Sequence, residues 1–236
     1  MEHYLVVYMT GHSGQWLTWF IDQHKNFPKY KTYLECNENG ACDYKSPGTH
    51  WLNSTVDSYP DHESDGEFDV SNFDSSFETY TKSWIPLYTQ DISSTKNALQ
   101  LIEYHELWMK SKDEISAIVN EINPAGIIVV YIDPSNTWTT PIENRSHNLF
   151  KNVAPAWATI ETTKTITWEW YSEIYVGRFF DFLSDKYRLH YLNIGNILDC
   201  DINEYKSLLE FIDEEPINNY EYLTKDMIEK VYKKYV

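Results

Sequence analysis

A chain of 236 residues, 42% hydrophobic and 16% aromatic, has enough apolar side chain for one α/β domain and is not disordered by composition. A formal net charge of -17 argues against a surface built to grip nucleic-acid phosphates or an anionic membrane. It leaves room for a nucleotide cofactor held by backbone amides and a few local cations.

The opening MEHYLVVYMTGHSG has no basic region of the kind that begins a signal peptide, and no run approaches a membrane span. The three Cys, at 36, 42 and 200, have no close metal-ligand spacing. They are expected as reduced thiols in a cytoplasmic protein.

Tyr4 to Met9 is a compact apolar run, predicted as a buried strand. Thr10 to Gly14 is a turn-forming loop, and Gln15 to His24 carries Trp16, Leu17, Trp19, Phe20 and Ile21 on a helix. Lys31 to Cys36 is a second expected strand. Residues 40–92 are acidic, polar and turn-rich, an excursion expected to hold little regular structure.

Asn97 to Lys110 is predicted as a helix. Ser111 to Glu114 forms a capping box ahead of Ile115, Ile118, Val119 and Ile122, and Asn123-Pro124 breaks that helix. Ile127 to Ile132 is a near-continuous apolar run, the mark of a parallel strand covered on both faces. Trp157 to Leu183 is expected to be largely helical and Arg188 to Ile194 a short strand. Asp201 and Glu204 bracket the start of a helix ending near Ile212, and Thr224 is expected to cap the last one.

Alternating strands and helices predict one α/β domain with a central parallel sheet. Ligands of such sheets sit at the carboxyl ends of the strands, which puts the loop at 10–16 and the turn after Ile132 on one rim.

The loop Thr10-Gly11-His12-Ser13-Gly14-Gln15-Trp16 has the makings of an anion site. Helix amides and the helix dipole favour negative charge there. Gly11 and Gly14 let the backbone approach closely, and Ser13 adds a hydroxyl. It lacks the Lys of a Walker A loop, and Gln15 stands where a nucleophile elbow has its last Gly.

A second block is Ile132-Asp133-Pro134-Ser135-Asn136, with Thr140 eight positions after Ile132. A third runs through His190-Tyr191-Leu192-Asn193-Ile194, Leu208-Leu209-Glu210-Phe211-Ile212 and Leu223-Thr224-Lys225-Asp226-Met227.

In this order the three blocks resemble the sulfotransferase family. The likeness covers residues 3–36 and roughly 94–236 and misses the acidic excursion. It implies a three-layer P-loop-like fold and the cofactor 3′-phosphoadenosine 5′-phosphosulfate. It also implies transfer of a sulfuryl group to a hydroxyl of a small molecule or carbohydrate. Carried over by position, Gly11, His12, Ser13, Gly14, Gln15 and Trp16 would hold the 5′-phosphosulfate. Thr140 would hold the 3′-phosphate, with Arg145 as the nearest cation if the chain folds back.

His12 stands where the family has a Lys or Arg, Gln15 where it usually has Thr, and Ile132 where it has Arg. His12 would then donate to the leaving oxygen, more weakly than a cation. Lys164 and Arg178 are further cations that would compensate.

His50 is the expected catalytic base, ahead of His62 and Glu63. The acidic run around Asp61–Gly66 has Asn72 at the twelfth position of an EF-hand frame, so it reads as a solvated loop and no metal site is expected. Trp138 directly follows the second block and is the tryptophan best placed for a ligand, while Trp168 and Trp170 read as core. The alternative is a protein on the same scaffold that has lost transfer chemistry and keeps a binding or structural role.

Overall fold

The computed structural model describes residues 2–9, 12–27, 33–36, 42–45, 95–103, 112–145 and 179–236. Most of the acidic excursion, with His50, His62, Glu63 and the Asp61–Gly66 run, lies outside these residues. So do Gly11, Ser111, Lys164, Arg178, Trp168 and Trp170.

Four strands form one parallel sheet in the order β4-β1-β5-β6. They are β1 Glu2–Met9, β4 Lys96–Glu103, β5 Gly126–Tyr131 and β6 Leu189–Asn193. β1 pairs with β4 from Glu2↔Lys96 to Met9↔Glu103, and with β5 from Tyr4↔Gly126 to Val7↔Val129. β5 pairs with β6 from Ile127↔Leu189 to Tyr131↔Asn193. Leu5, Val6, Val7 and Ile127 to Val130 are all buried, because strands covered on both faces need unbroken apolar runs. The protein is α/β.

Two expectations fail in this region. Residues 96–103 form a strand, not the start of a helix over 97–110. Ala, Leu, Gln and Glu favour a helix locally, but eight registered positions against β1 override a propensity of a few tenths of a kcal/mol each. The predicted second strand is present as β2, Tyr33–Cys36, but it is outside the parallel sheet. It pairs antiparallel with β3, Cys42–Lys45, in a register that sets Cys36 opposite Cys42.

The helices follow the sequence pattern more closely. α1 is Gly14–Ile21 and α2 is Lys112–Ile122, which buries Ile115, Val119 and Ile122 at helical spacing. It stops at Asn123, whose φ of 49° is left-handed, just before Pro124. Residues 139–145 form α3, and α4 is Ile194–Leu198. Of the expected helix ending at Leu183, the described part is a 3-10 turn, Phe179–Leu183.

α5, Ile202–Ile212, starts where expected: Asp201 caps it by accepting from the Asn203 amide at 2.7 Å. At its other end Lys96 Nζ donates to the carbonyls of Ile212 and Asp213, each at 2.6 Å, and to Glu214 Oε1 at 3.0 Å.

α6, Tyr220–Met227, begins four residues before the predicted cap. Asn219 stands at its N-cap, while Thr224 lies buried mid-helix and turns its hydroxyl back to the Tyr220 carbonyl at 3.1 Å. Thr satisfies itself this way inside a helix, so its capping preference is no sure boundary signal. A π-helical turn, Ile228–Tyr232, continues α6.

From β1 the chain goes to β4 on one side and later to β5 on the other, so the strand order reverses between β1 and β5. The carboxyl ends of those two strands flank the switch point where open α/β sheets take ligands.

Candidate functional site

β1 delivers His12 and Ser13 to this point, and α1 begins directly after them. Ser13 is at the N-cap of α1 with φ 56° and ψ 28°, the left-handed region. In that conformation its side chain makes no capping bond, while its carbonyl accepts from the Leu17 amide at 2.9 Å. The hydroxyl is thereby turned away from the helix's own amides. Gly14 follows because a Cβ there would overlap the Tyr8 ring, so glycine lets α1 start directly over β1.

β5 ends at Tyr131, and Ile132 is fully buried. Asp133 makes a tight turn, its Oδ1 accepting from the Ser135 amide at 2.8 Å and hydroxyl at 2.6 Å. Those two bonds, the hydroxyl's first, hold the Asp133 carboxyl below the usual carboxylate range. Thr139 Oγ1 donates to the Asp133 carbonyl at 2.9 Å and leads into α3.

α3 is what brings a cation back to the rim. Arg145, 5% exposed, donates from Nη1 to Ser13 Oγ at 3.4 Å, a long hydrogen bond. Its guanidinium carbon also sits 5.4 Å from the centre of the Tyr232 ring. The chain does fold back, and the cation reaches the loop that lacks one.

The hydroxyl of Ser13 has further partners. Tyr232 Oη lies 2.8 Å away and Met227 Sδ 3.9 Å away. Trp138 packs edge-on against Tyr232 with ring centres 5.7 Å apart, and its Nε1 donates to Asp199 Oδ1 at 2.7 Å. Trp138 is thus next to the site, in contact with the residue that covers Ser13.

A polar network braces the neighbouring rim. Asn193 Oδ1 caps α4 by accepting from the Gly195 amide at 3.1 Å, and also accepts from the Asp133 amide at 3.4 Å. Glu204 accepts from the Asn193 amide and from Asn196 Nδ2, both at 2.9 Å. The turn after β5 is therefore tied to the end of β6 through Asn193.

The expected site residues do not all converge. Ser13, Gly14 and Arg145 come together, and His12, 1% exposed, is next to them in the loop. Gln15 contributes its backbone to the first turn of α1. Trp16 is 1% exposed and stacks on Phe20 at 5.1 Å, a core position. Thr140 is exposed on α3, and Gly11 and His50 lie outside the described residues.

The residue that sequence reading missed is Tyr232. Its partner is 219 positions away, so no local pattern marks it. Among the described residues no group of His, Cys, Asp and Glu could hold a metal ion. None of their helices is long and apolar enough to cross a membrane.

Chemically, the arrangement offers an anion three things: the positive end of α1, a hydroxyl and a guanidinium. Position 132, directly after β5, holds a fully buried Ile. No protein-family model, curated protein or solved structure matches the chain.

Proposed function

We propose that the protein is a divergent sulfotransferase-like enzyme on a three-layer P-loop-like fold. It holds the phosphosulfate end of 3′-phosphoadenosine 5′-phosphosulfate at the N-terminus of α1. The single observation that carries this reading is Arg145 on Ser13 at the switch point of a parallel sheet.

Arg145 takes up the role of the cation missing at His12: it neutralises anionic oxygens beside the helix amides. Ser13 orients one of those oxygens by donating its proton. His12 supplies an N–H close to where charge builds on a leaving oxygen. The cofactor supplies the activated sulfuryl group, and the acceptor is a hydroxyl of a small molecule or carbohydrate. His50 stays the proposed base for that hydroxyl.

A specific observation favours a second reading, in which the scaffold binds without transferring. Ile132 replaces the family's arginine and is fully buried, so half of the phosphate clamp is gone. Radiolabelled cofactor tests both readings against a panel of phenolic, alcoholic and sugar hydroxyls. Label transfer that disappears in Arg145→Gln supports the enzyme. Saturable binding of adenosine 3′,5′-bisphosphate with no transfer to any acceptor supports the binding protein. Absence of both removes the reading.

A further inference from the structure

The proton of the Ser13 hydroxyl is committed. A serine oxygen has one proton to give and two lone pairs to offer. Arg145 can only donate, so at 3.4 Å it takes one lone pair. Tyr232 at 2.8 Å and Met227 Sδ at 3.9 Å take the proton between them: either the tyrosine donates and the serine proton goes to the sulfur, or the serine proton goes to the tyrosine. In either arrangement the one proton that an anion would need from Ser13 is already given to a present partner.

Arg145 is constrained by the same residue, since its guanidinium lies over the Tyr232 ring. Tyr232 is fully buried and packs against both that cation and the Trp138 ring.

The segment that carries Tyr232 is built differently from the helix before it. Ile228–Tyr232 is π-helical, closed by the Lys233 amide donating to the Ile228 carbonyl at 3.0 Å. π-turns are rare, and they concentrate at functional sites. The outer side of this turn is held by ion pairs at exposed positions, Lys230 with Asp226 at 2.7 Å and Lys233 with Glu229. Such pairs contribute little. Its inner side holds through Val231 and Tyr232, which are buried. Tyr232 is therefore the anchor by which the turn is seated.

We propose that the turn Ile228–Tyr232 is a plug on the anion site: Tyr232 occupies the hydroxyl and the face of the cation that an anion must use, so the anion binds as the turn lifts. This rests on the reading of Ser13 and Arg145 as an anion site. Anion binding and seating of the turn exclude each other, and the chain holds its own site shut until ligand arrives.

Two measurements on the full chain test this, with pyrophosphate and adenosine 3′,5′-bisphosphate as probes. The first is calorimetric affinity of the unaltered protein, Tyr232→Phe and Arg145→Gln. Tyr232→Phe keeps the ring and frees Ser13, and is expected to bind about fivefold tighter, the equivalent of one net hydrogen bond. The second is hydrogen exchange of the unaltered protein, which also decides the matter if the variant folds poorly. The amides of Lys233 and Tyr235, bonded to the Ile228 and Tyr232 carbonyls, are expected to exchange faster with saturating ligand.

Equal or weaker binding by Tyr232→Phe, alongside binding by the unaltered chain that Arg145→Gln abolishes, overturns the plug and leaves the anion site standing. Slower exchange at Lys233 and Tyr235 on ligand addition overturns it as well. Failure of both the unaltered chain and Tyr232→Phe to bind either probe overturns the plug and the anion site together.

Discussion

Arg145 reaches the hydroxyl of Ser13 at 3.4 Å across 132 positions of sequence. One residue ends the loop after the first strand, and the other lies on the helix that follows β5. The contact thus joins the two chain segments that flank the switch point of the sheet. Ser13→Ala removes the shared oxygen and leaves the Tyr232 hydroxyl without that partner. Stability is expected to fall by about 1–3 kcal/mol, measured by urea unfolding. A variant as stable as the unaltered chain would show that the hydroxyl is not integrated as described.

Gly14→Ala should destabilise the protein by about 1–3 kcal/mol, because the added methyl overlaps the Tyr8 ring. Urea unfolding with an unchanged m-value checks this. Gly14→Ala combined with Tyr8→Ala should recover part of the loss, since the ring is what the methyl meets. Equal loss in the single and the double variant would place the strain elsewhere.

Lys96→Met is expected to cost about 3–5 kcal/mol. Glu214, its side chain 1% exposed, would be left as a buried carboxylate without its cation, and the last carbonyls of α5 would lose their donor. Lys96→Met with Glu214→Leu should recover much of the loss, measured as a double-mutant cycle. Additive losses would mean that the two side chains do not act as a pair.

Burial pushes the His190 imidazole down from 6.5 to about 4, with the ring stacked on Phe211 at 5.1 Å. The unfolded chain therefore binds the proton at higher pH than the folded one. The stability is fully present above about pH 6.5 and is lost as pH falls toward about 4, at about 1.4 kcal/mol per pH unit for one proton. His3, lowered mainly by burial, adds a contribution of the same sign. Histidine NMR should show His190 titrating near pH 4, and His190→Phe should remove one proton from the acid slope. A His190 midpoint near 6.5 would contradict the burial.

Sequence pattern carried the elements whose apolar period was unambiguous. β1, β5 and α2 were legible because Leu5–Val7, Ile127–Val130 and the Ile115, Val119, Ile122 spacing each allow one reading. Asp201 was legible as a cap because its bond is local. β4 was not, because Ala98 and its leucine and glutamine neighbours favour a helix until β1 is there to pair with them. The start of α6 was missed since Thr224 can bond back to Tyr220 as readily as it can cap.

At the site, the rim was legible from strand and turn order, and Arg145 from the absence of any nearer cation. The contact of Tyr232 with Ser13 was not, because two polar groups 219 positions apart leave no mark in a periodicity.

The most direct test is the melting temperature of the unaltered chain and of Arg145→Gln in millimolar adenosine 3′,5′-bisphosphate. Binding to the folded state should raise the unaltered midpoint by about 3–6 °C at about ten times the dissociation constant, and leave Arg145→Gln unmoved. An unchanged midpoint in the unaltered chain, or an equal rise in both, would contradict an anion site built on Ser13 and Arg145.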